Sequence, residues 1–323
     1  MSSGSDAVDL LGLDPTTWRP SALHGADRIW PETNCYVDLW VELLPALGHP
    51  VEAALPFTVL QDFEGDQFTF FKFPLEDLQA LFGLSVQELA LYESVEAQAL
   101  TQLRRGRPVL VEVDAFWLPD AGDAYRKAHV KTSVALIALD RGGKRVGYLH
   151  GTGYHELSGE DYDGLLRQPA VLFPYAEFVK RDGVAQTGRD LLDTSVALLR
   201  GHLKRRPRRN PIEAWRSALP SHVERLAERD MAYFHLYAFN LPRQLGANFE
   251  MLGTCLQWQG ANGVDGLADA AAGSRRIAEA AKTVQFQLAR MAHRRKFDTD
   301  AVALRAVADE YDSVFSALDA RFA

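Results

Sequence analysis

Cysteine is scarce in this chain, with two among 323 residues, Cys35 and Cys255. Two thiols make no disulfide framework and fit a reducing compartment. No run approaches the roughly 20 apolar residues that a membrane-spanning helix needs. The opening Met-Ser-Ser-Gly-Ser-Asp lacks the basic region and apolar core of a signal peptide. These absences make the cytoplasm the expected location. Internal repeats and low-complexity tracts are also missing. Positive charge is not in excess, the net charge being −8. Residues 1–175 hold 25 acidic and 13 basic side chains, a net −12, whereas residues 176–323 hold 18 and 22, a net +4. The acidic half would repel phosphates, which argues against general nucleic-acid binding. The asymmetry points to two domains with different surfaces.

What is present is a soluble composition, 47% apolar and 24% charged, on a chain long enough for two cores. Val37, Trp40, Val41, Leu44 and Leu47 recur at helical spacing, and Gly48 and Pro50 close the pattern. Thr33 and Asn34 are N-cap residue types just ahead. Cys35 therefore stands in the first turn of a helix, where free N–H groups and the helix dipole favour a thiolate. The plain alternative is a small buried thiol. Cys255 lies mid-helix among apolar residues and reads as core.

Downstream, 54–60 and 67–73 read as strands, with an acidic turn at 62–66 between them. Helices are expected from Pro74 to Leu81 and from Val95 to Arg105. Residues 107–114 read as a buried strand ending on Asp114, and 115–127 as a polar loop. Residues 129–139 form a further strand, Asp140-Arg141-Gly142-Gly143 a hairpin turn, and 144–150 its return. Residues 154–157 extend again, and Ser158 with Asp161 reads as a helix-capping pair. His129 opens one strand of the hairpin and His150 ends its partner, so the two are expected to be neighbours.

Beyond about residue 175 the strand signal stops. Residues 187–203, 211–230, 231–258, 264–297 and 299–322 read as amphipathic helices of a bundle, with Pro242 breaking the third. Between the first two, residues 200–209 carry Arg200, Lys204, Arg205, Arg206, Arg208 and Arg209 and no acid. Such runs are usually solvated loops. The functional reading is an electrostatic dock for an acidic partner or a phosphate.

A cysteine at a helix start, then a histidine at a strand start, then a polar residue on the next strand resembles the papain-like cysteine hydrolases and transferases. The expected fold is thus α+β, with a papain-like catalytic domain over 1–175 and a helical bundle over 176–323. The close Tyr148-Leu149-His150-Gly151 followed by Leu157 to Tyr162 resembles the bacteriocin-processing peptidase domains. Longer phrases widen the resemblance. Asn34 to Trp40, Asp62 to Phe73, Val111 to Asp114, Ala128 to Thr132, Gly153 to Gly159, Tyr237 to Gln244 and Ala247 to Glu250 resemble the family called domain of unknown function 1839. That family is in turn similar to the N-terminal domain of the butirosin biosynthesis acyltransferase H.

The resemblance implies transfer of an acyl or aminoacyl group from the phosphopantetheine arm of a carrier protein to an amine. Cys35 would be the nucleophile and His129 the general base, with His150 or Asp114 orienting it. Asn34 would serve the oxyanion, since the Gln that papain-like enzymes carry before the nucleophile is missing here. Lys204, Arg205, Arg206, Arg208 and Arg209 would meet the carrier protein. The chain itself would bind no cofactor, and nucleic acid and membrane are not expected partners. Two other readings use the same residues, a cysteine peptidase or thioesterase, and a non-catalytic module that holds a carrier protein or a small amine. A zinc site from Cys35, His129, His150 and His155 has suitable ligand types, but the nucleophile arrangement accounts better for a thiol at a helix start.

Overall fold

A computed structural model describes residues 6–167, 174–296, 298–299 and 302–322. Contacts divide the chain into two units. One comprises the residues up to Gly25, Asn34–Pro50 and Leu78–Ala185. The other comprises Ala26–Thr33, Val51–Asp77 and the chain from Gln186 onward. The boundary expected near residue 175 falls inside the first unit, and two early segments belong with the helices.

The first unit is an antiparallel sheet with helices. Its strands are β1 (Ala7–Asp9), β2 (Ser85–Glu88), β3 (Val109–Asp114), β4 (Lys131–Asp140), β5 (Arg145–His150), β6 (Gly153–Ser158) and β7 (Ala176–Lys180). They lie in the order β2-β7-β3-β4-β5-β6, with β1 also paired to β4. Strand β7 corrects the expectation that strands end near 175. It is short, and its alternating pattern is completed only by distant partners, β2 and β3.

Helix α1 (Cys35–Ala46) packs over β4 and β5 on one face of the sheet. Asn34 caps it, its Oδ1 accepting from Val37 N at 3.0 Å. Helix α2 is Leu75–Phe82, and α3 (Val95–Arg104) covers the opposite face. Val95, Ala99, Leu100 and Leu103 of α3 join Val109, Val111, Val134, Leu136 and Tyr148 of the sheet in one core. Opposed residues of an antiparallel pair share a face. Glu112↔Ser133 and Asp114↔Lys131 therefore look toward α1, and Val111↔Val134 and Val113↔Thr132 toward α3.

A β-bulge decides which side chains share those faces. Asp140↔Arg145, Leu139↔Val146 and Ala138↔Gly147 pair in register, and then Leu136 pairs with Tyr148, leaving Ile137 as an extra residue on β4. One extra residue flips the facing of everything beyond it. Tyr148 and His150 consequently share a face with Thr132 and Val134, not with Lys131 and Ser133. The expected neighbourhood of His129 and His150 is corrected by the register as well: Leu149 pairs with Ala135, so His150 falls beside Val134, five residues from His129.

Other local expectations also change. Residues 51–54 and 56–60 form short 3₁₀ turns instead of a strand, with Pro56 opening the second. The 67–73 segment keeps a single bridge, Phe63↔Phe68, and its rings Phe68, Phe71 and Phe73 are buried. Ser158 ends β6. Gly159, at φ 65°, precedes the three-residue helix α4 (Glu160–Tyr162), so the capping pair does not form.

The second unit is helical: α5 (Gly188–Leu203), α6 (Pro211–Ala227), α7 (Met231–Ala238), α8 (Gln244–Ala261), α9 (Ala268–Arg294) and α10 (Leu304–Phe322). The expected helices 264–297 and 299–322 include residues 297, 300 and 301, which lie outside the described set. Helices α7 and α8 flank a wide turn at 239–243 that accommodates Pro242, because proline lacks the N–H that a regular helix needs. Trp30 inserts beside α8, where Gly246 leaves room for its indole, and donates from Nε1 to Ala278 O at 3.1 Å. Cys255 is fully buried in this core, and burial pushes its thiol pKa up. Among the described residues no helix is long and apolar enough to cross a membrane.

Candidate active site

Cys35 is the first residue of α1 and is partly exposed. Its Sγ lies 3.7 Å from Ser133 Oγ on β4. Two residues back along the same face, Lys131 places its Nζ 3.0 Å from Glu112 Oε1. Burial works against the Lys131 charge. The bond to Glu112 and the negative charge of a Cys35 thiolate outweigh it and hold the Lys131 pKa above its ordinary value.

His129 lies two residues further. Its Nδ1 is 2.6 Å from Asp114 Oδ2, and its ring stacks on Phe116 at 4.7 Å between centroids. Asp114 also caps the turn after β3, its Oδ1 accepting from Phe116 N at 3.0 Å. Partial burial raises the Asp114 pKa, but the His129 and Phe116 bonds lower it further, leaving it below the usual carboxylate value. An ionised Asp114 fixes the proton on Nδ1 and leaves Nε2 as an acceptor. The side chain is 72% exposed, so that nitrogen is open to solvent.

Cys35 and His129 are not hydrogen-bonded. Cys35 meets Ser133, four residues along, or about 13 Å of extended backbone from His129. The direct thiol–imidazole pair of the expected arrangement is replaced by Cys35, Ser133 and Lys131 in sequence, then His129 with Asp114. Lys131 and Ser133 were overlooked in the sequence, although His129, Lys131 and Ser133 alternate and so share a strand face.

His150 takes no part in this face. It looks toward α3, where Nδ1 is 2.5 Å from Asp120 Oδ2 and Nε2 is 2.9 Å from Thr132 Oγ1. Tyr148 OH donates to the other Asp120 oxygen, and His155 lies 3.6 Å away. Burial raises the Asp120 pKa, yet His150, Tyr148 and His155 together hold it below the carboxylate norm. Asp114, not His150, orients His129. With Cys35 and His150 on opposite faces, the four residues weighed for zinc cannot converge on one ion. Asn34 is 2% exposed, and its side-chain oxygen is committed to the α1 cap.

The basic run lies in the second unit, after α5. Arg206 grips Asp319 with Nη1 and Nη2 at 2.8 and 2.6 Å. Arg205 Nη2 donates to His202 Nδ1 at 2.6 Å, and His202 Nε2 meets Asp77 at 2.6 Å. Lys204, Arg208 and Arg209 are exposed and form no ion pair among the described residues. With Tyr311, Asp312 and Asp319 they border a cleft of about 600 Å³.

Two family models match the chain. The DUF1839 N-terminal domain matches residues 19–181 and the DUF1839 C-terminal domain residues 188–320. No curated protein matches it.

Proposed function

The chain belongs to the DUF1839 family, and from that footing we propose that its N-terminal domain is a papain-like acyl or aminoacyl transferase acting through a Cys35 acyl-enzyme. One observation carries the reading. Cys35 opens α1 on the sheet face that also bears Lys131 and an exposed His129 held by Asp114.

Cys35 reacts as the thiolate, with the Lys131 ammonium on the same face as counter-charge. The thiolate attacks the carbonyl of a thioester on the phosphopantetheine arm of a carrier protein, the donor substrate. The bond from carbon to the arm's sulfur breaks, and the arm leaves as a thiol with a proton from solvent. An acceptor amine then attacks the Cys35 thioester. His129 Nε2, further along the same face, takes the amine's proton through a chain of bridging waters, and Asp114 stabilises the imidazolium. Cys35 leaves as thiolate and returns to Lys131. Lys204, Arg208 and Arg209 provide cations for an acidic carrier surface.

Resolution by water instead of an amine would make the same residues a thioesterase or peptidase. One observation favours a non-catalytic module that holds a carrier protein or amine: Cys35 touches Ser133 and not a histidine. Intact mass spectrometry after incubation with an aminoacyl-loaded carrier protein decides between chemistry and binding. The wild type is expected to gain the mass of the acyl group and Cys35→Ala to gain none. Carrier binding by both proteins with no mass gain in either would replace the transferase by the binding module.

A further inference from the structure

A cleft of about 450 Å³ in the first unit is bordered by the C-terminal half of α1 and the segment 12–21. Glu42 of α1 lines it with 0% of the residue exposed. Its Oε1 is well used, accepting from Ser21 N at 2.9 Å and lying 2.5 Å from His24 Nδ1. Its Oε2 is buried and has no hydrogen-bond partner. Trp18 lines the same cleft, and its indole Nε1–H is also buried without a partner.

His24 lies between Asp38 and Glu42, and although burial opposes its charge the two acids hold its pKa up to about 9. Its ring meets Glu42 at Oε1, so Oε2 stays unpaired, and a buried polar atom without a partner is costly unless a donor is supplied. The cleft also offers the Arg19 guanidinium, of which only Nη1 is engaged, to the carbonyls of Thr17 and Trp18. Leu13, Pro45 and Ala46 give it apolar wall.

We propose that this cleft binds a small zwitterionic amine of the free amino-acid class, its ammonium donating to Glu42 Oε2 and its carboxylate accepting from Trp18 Nε1–H. The missing acceptor and the missing donor are both supplied by one ligand, and Arg19 adds to carboxylate recognition. The site does not rest on acyl transfer. Glu42 follows Cys35 by seven residues, about 10 Å along the helix, so an amine held there is not the one attacking at Cys35.

Isothermal titration of the full chain at pH 7 with β-alanine, propylamine and propionate tests the site. β-Alanine is expected to bind, propylamine more weakly, and propionate not at all. Glu42→Gln, which keeps the oxygen that serves Ser21, should weaken β-alanine by about tenfold or more. Trp18→Phe should bring β-alanine down to the level of propylamine while leaving propylamine unchanged. Trp18→Phe keeps the proposal testable if Glu42→Gln does not fold. Cys35→Ala should bind as the wild type does, which separates this site from the acyl chemistry. No heat from β-alanine up to about 10 mM, equal binding of propionate and propylamine, or wild-type binding by a folded Glu42→Gln would each overturn it.

Discussion

The two faces of the sheet each carry a histidine bonded to an aspartate, and they differ in what the second ring nitrogen does. Under α1, His129 bonds Asp114 with Nδ1 and keeps Nε2 free, with 72% of its side chain exposed. Under α3, His150 bonds Asp120 with Nδ1 and Thr132 with Nε2, at 14% exposure. The chemistry of the pairs is alike, since in both the acid is held ionised and fixes the imidazole tautomer. Of the two, His129 is the one that keeps a ring nitrogen unengaged by protein. His150 spends both nitrogens on protein, which suits it to bracing the strand behind Lys131 and Ser133.

The bulge at Ile137 is where the facing of β4 relative to β5 is set, and deleting it tests what the extra residue contributes. Without Ile137, Leu136↔Tyr148 would follow Ala138↔Gly147 directly, so Lys131 and Ser133 stay toward α1 and Val134 and Leu136 toward α3. What is lost is a fully buried Ile side chain and the local bend of β4, worth about 2–5 kcal/mol. The deletion is expected to lower the urea midpoint and keep a cooperative transition. Loss of the cooperative transition would show that the bend itself, and not the pairing on either side of it, holds the two faces.

Removing each histidine in turn gives the next largest effect. His129→Ala should leave stability within about 0.5 kcal/mol, as for other exposed positions. It should still form the acyl-enzyme, because Cys35 meets Ser133 and not His129. Transfer to the amine should slow by about 10²–10⁴, so the acyl-enzyme accumulates in the mass spectrum. Loss of acylation itself in His129→Ala would place the histidine at the thiol and refute the Lys131 assignment. His150→Ala should do the reverse. It strips the buried Asp120 of its main partner and is expected to cost about 2–3 kcal/mol in urea unfolding, with transfer per folded molecule little changed.

Much of this was legible in the sequence. Periodicity and caps located α1 and the later helices, and turn chemistry located the β4–β5 hairpin. The placing of Cys35 at the start of α1 and of Asp114 at the end of β3 was legible because residue type and element ends coincide there. The facing of His150 was not legible, because a one-residue bulge leaves no residue signal in Leu136-Ile137-Ala138 and inverts every side chain beyond it. The apolar run 51–60 fits strand and short helix equally, and its Pro56 starts a turn of helix. Strand β7 and the 67–73 segment depend on distant partners, which local propensity does not contain.

A third histidine sharpens the contrast between exposed and buried pairs. His24 sits between Asp38 and Glu42, with Nε2 3.4 Å from Asp38 and Nδ1 2.5 Å from Glu42. Burial lowers its pKa, but the two carboxylates more than offset this and raise it from 6.5 to about 9. A folded-state pKa above the unfolded value means that the charged ring stabilises the fold. That contribution is complete below pH 6.5 and is lost as pH rises through 9. The gap corresponds to about 3 kcal/mol. Urea unfolding of the wild type should therefore weaken between pH 6 and pH 9.5 by more than that of His24→Gln, which keeps polar contacts but does not titrate. Equal slopes for wild type and His24→Gln would mean that His24 is neutral in the fold and that the two acids beside it do not hold its proton.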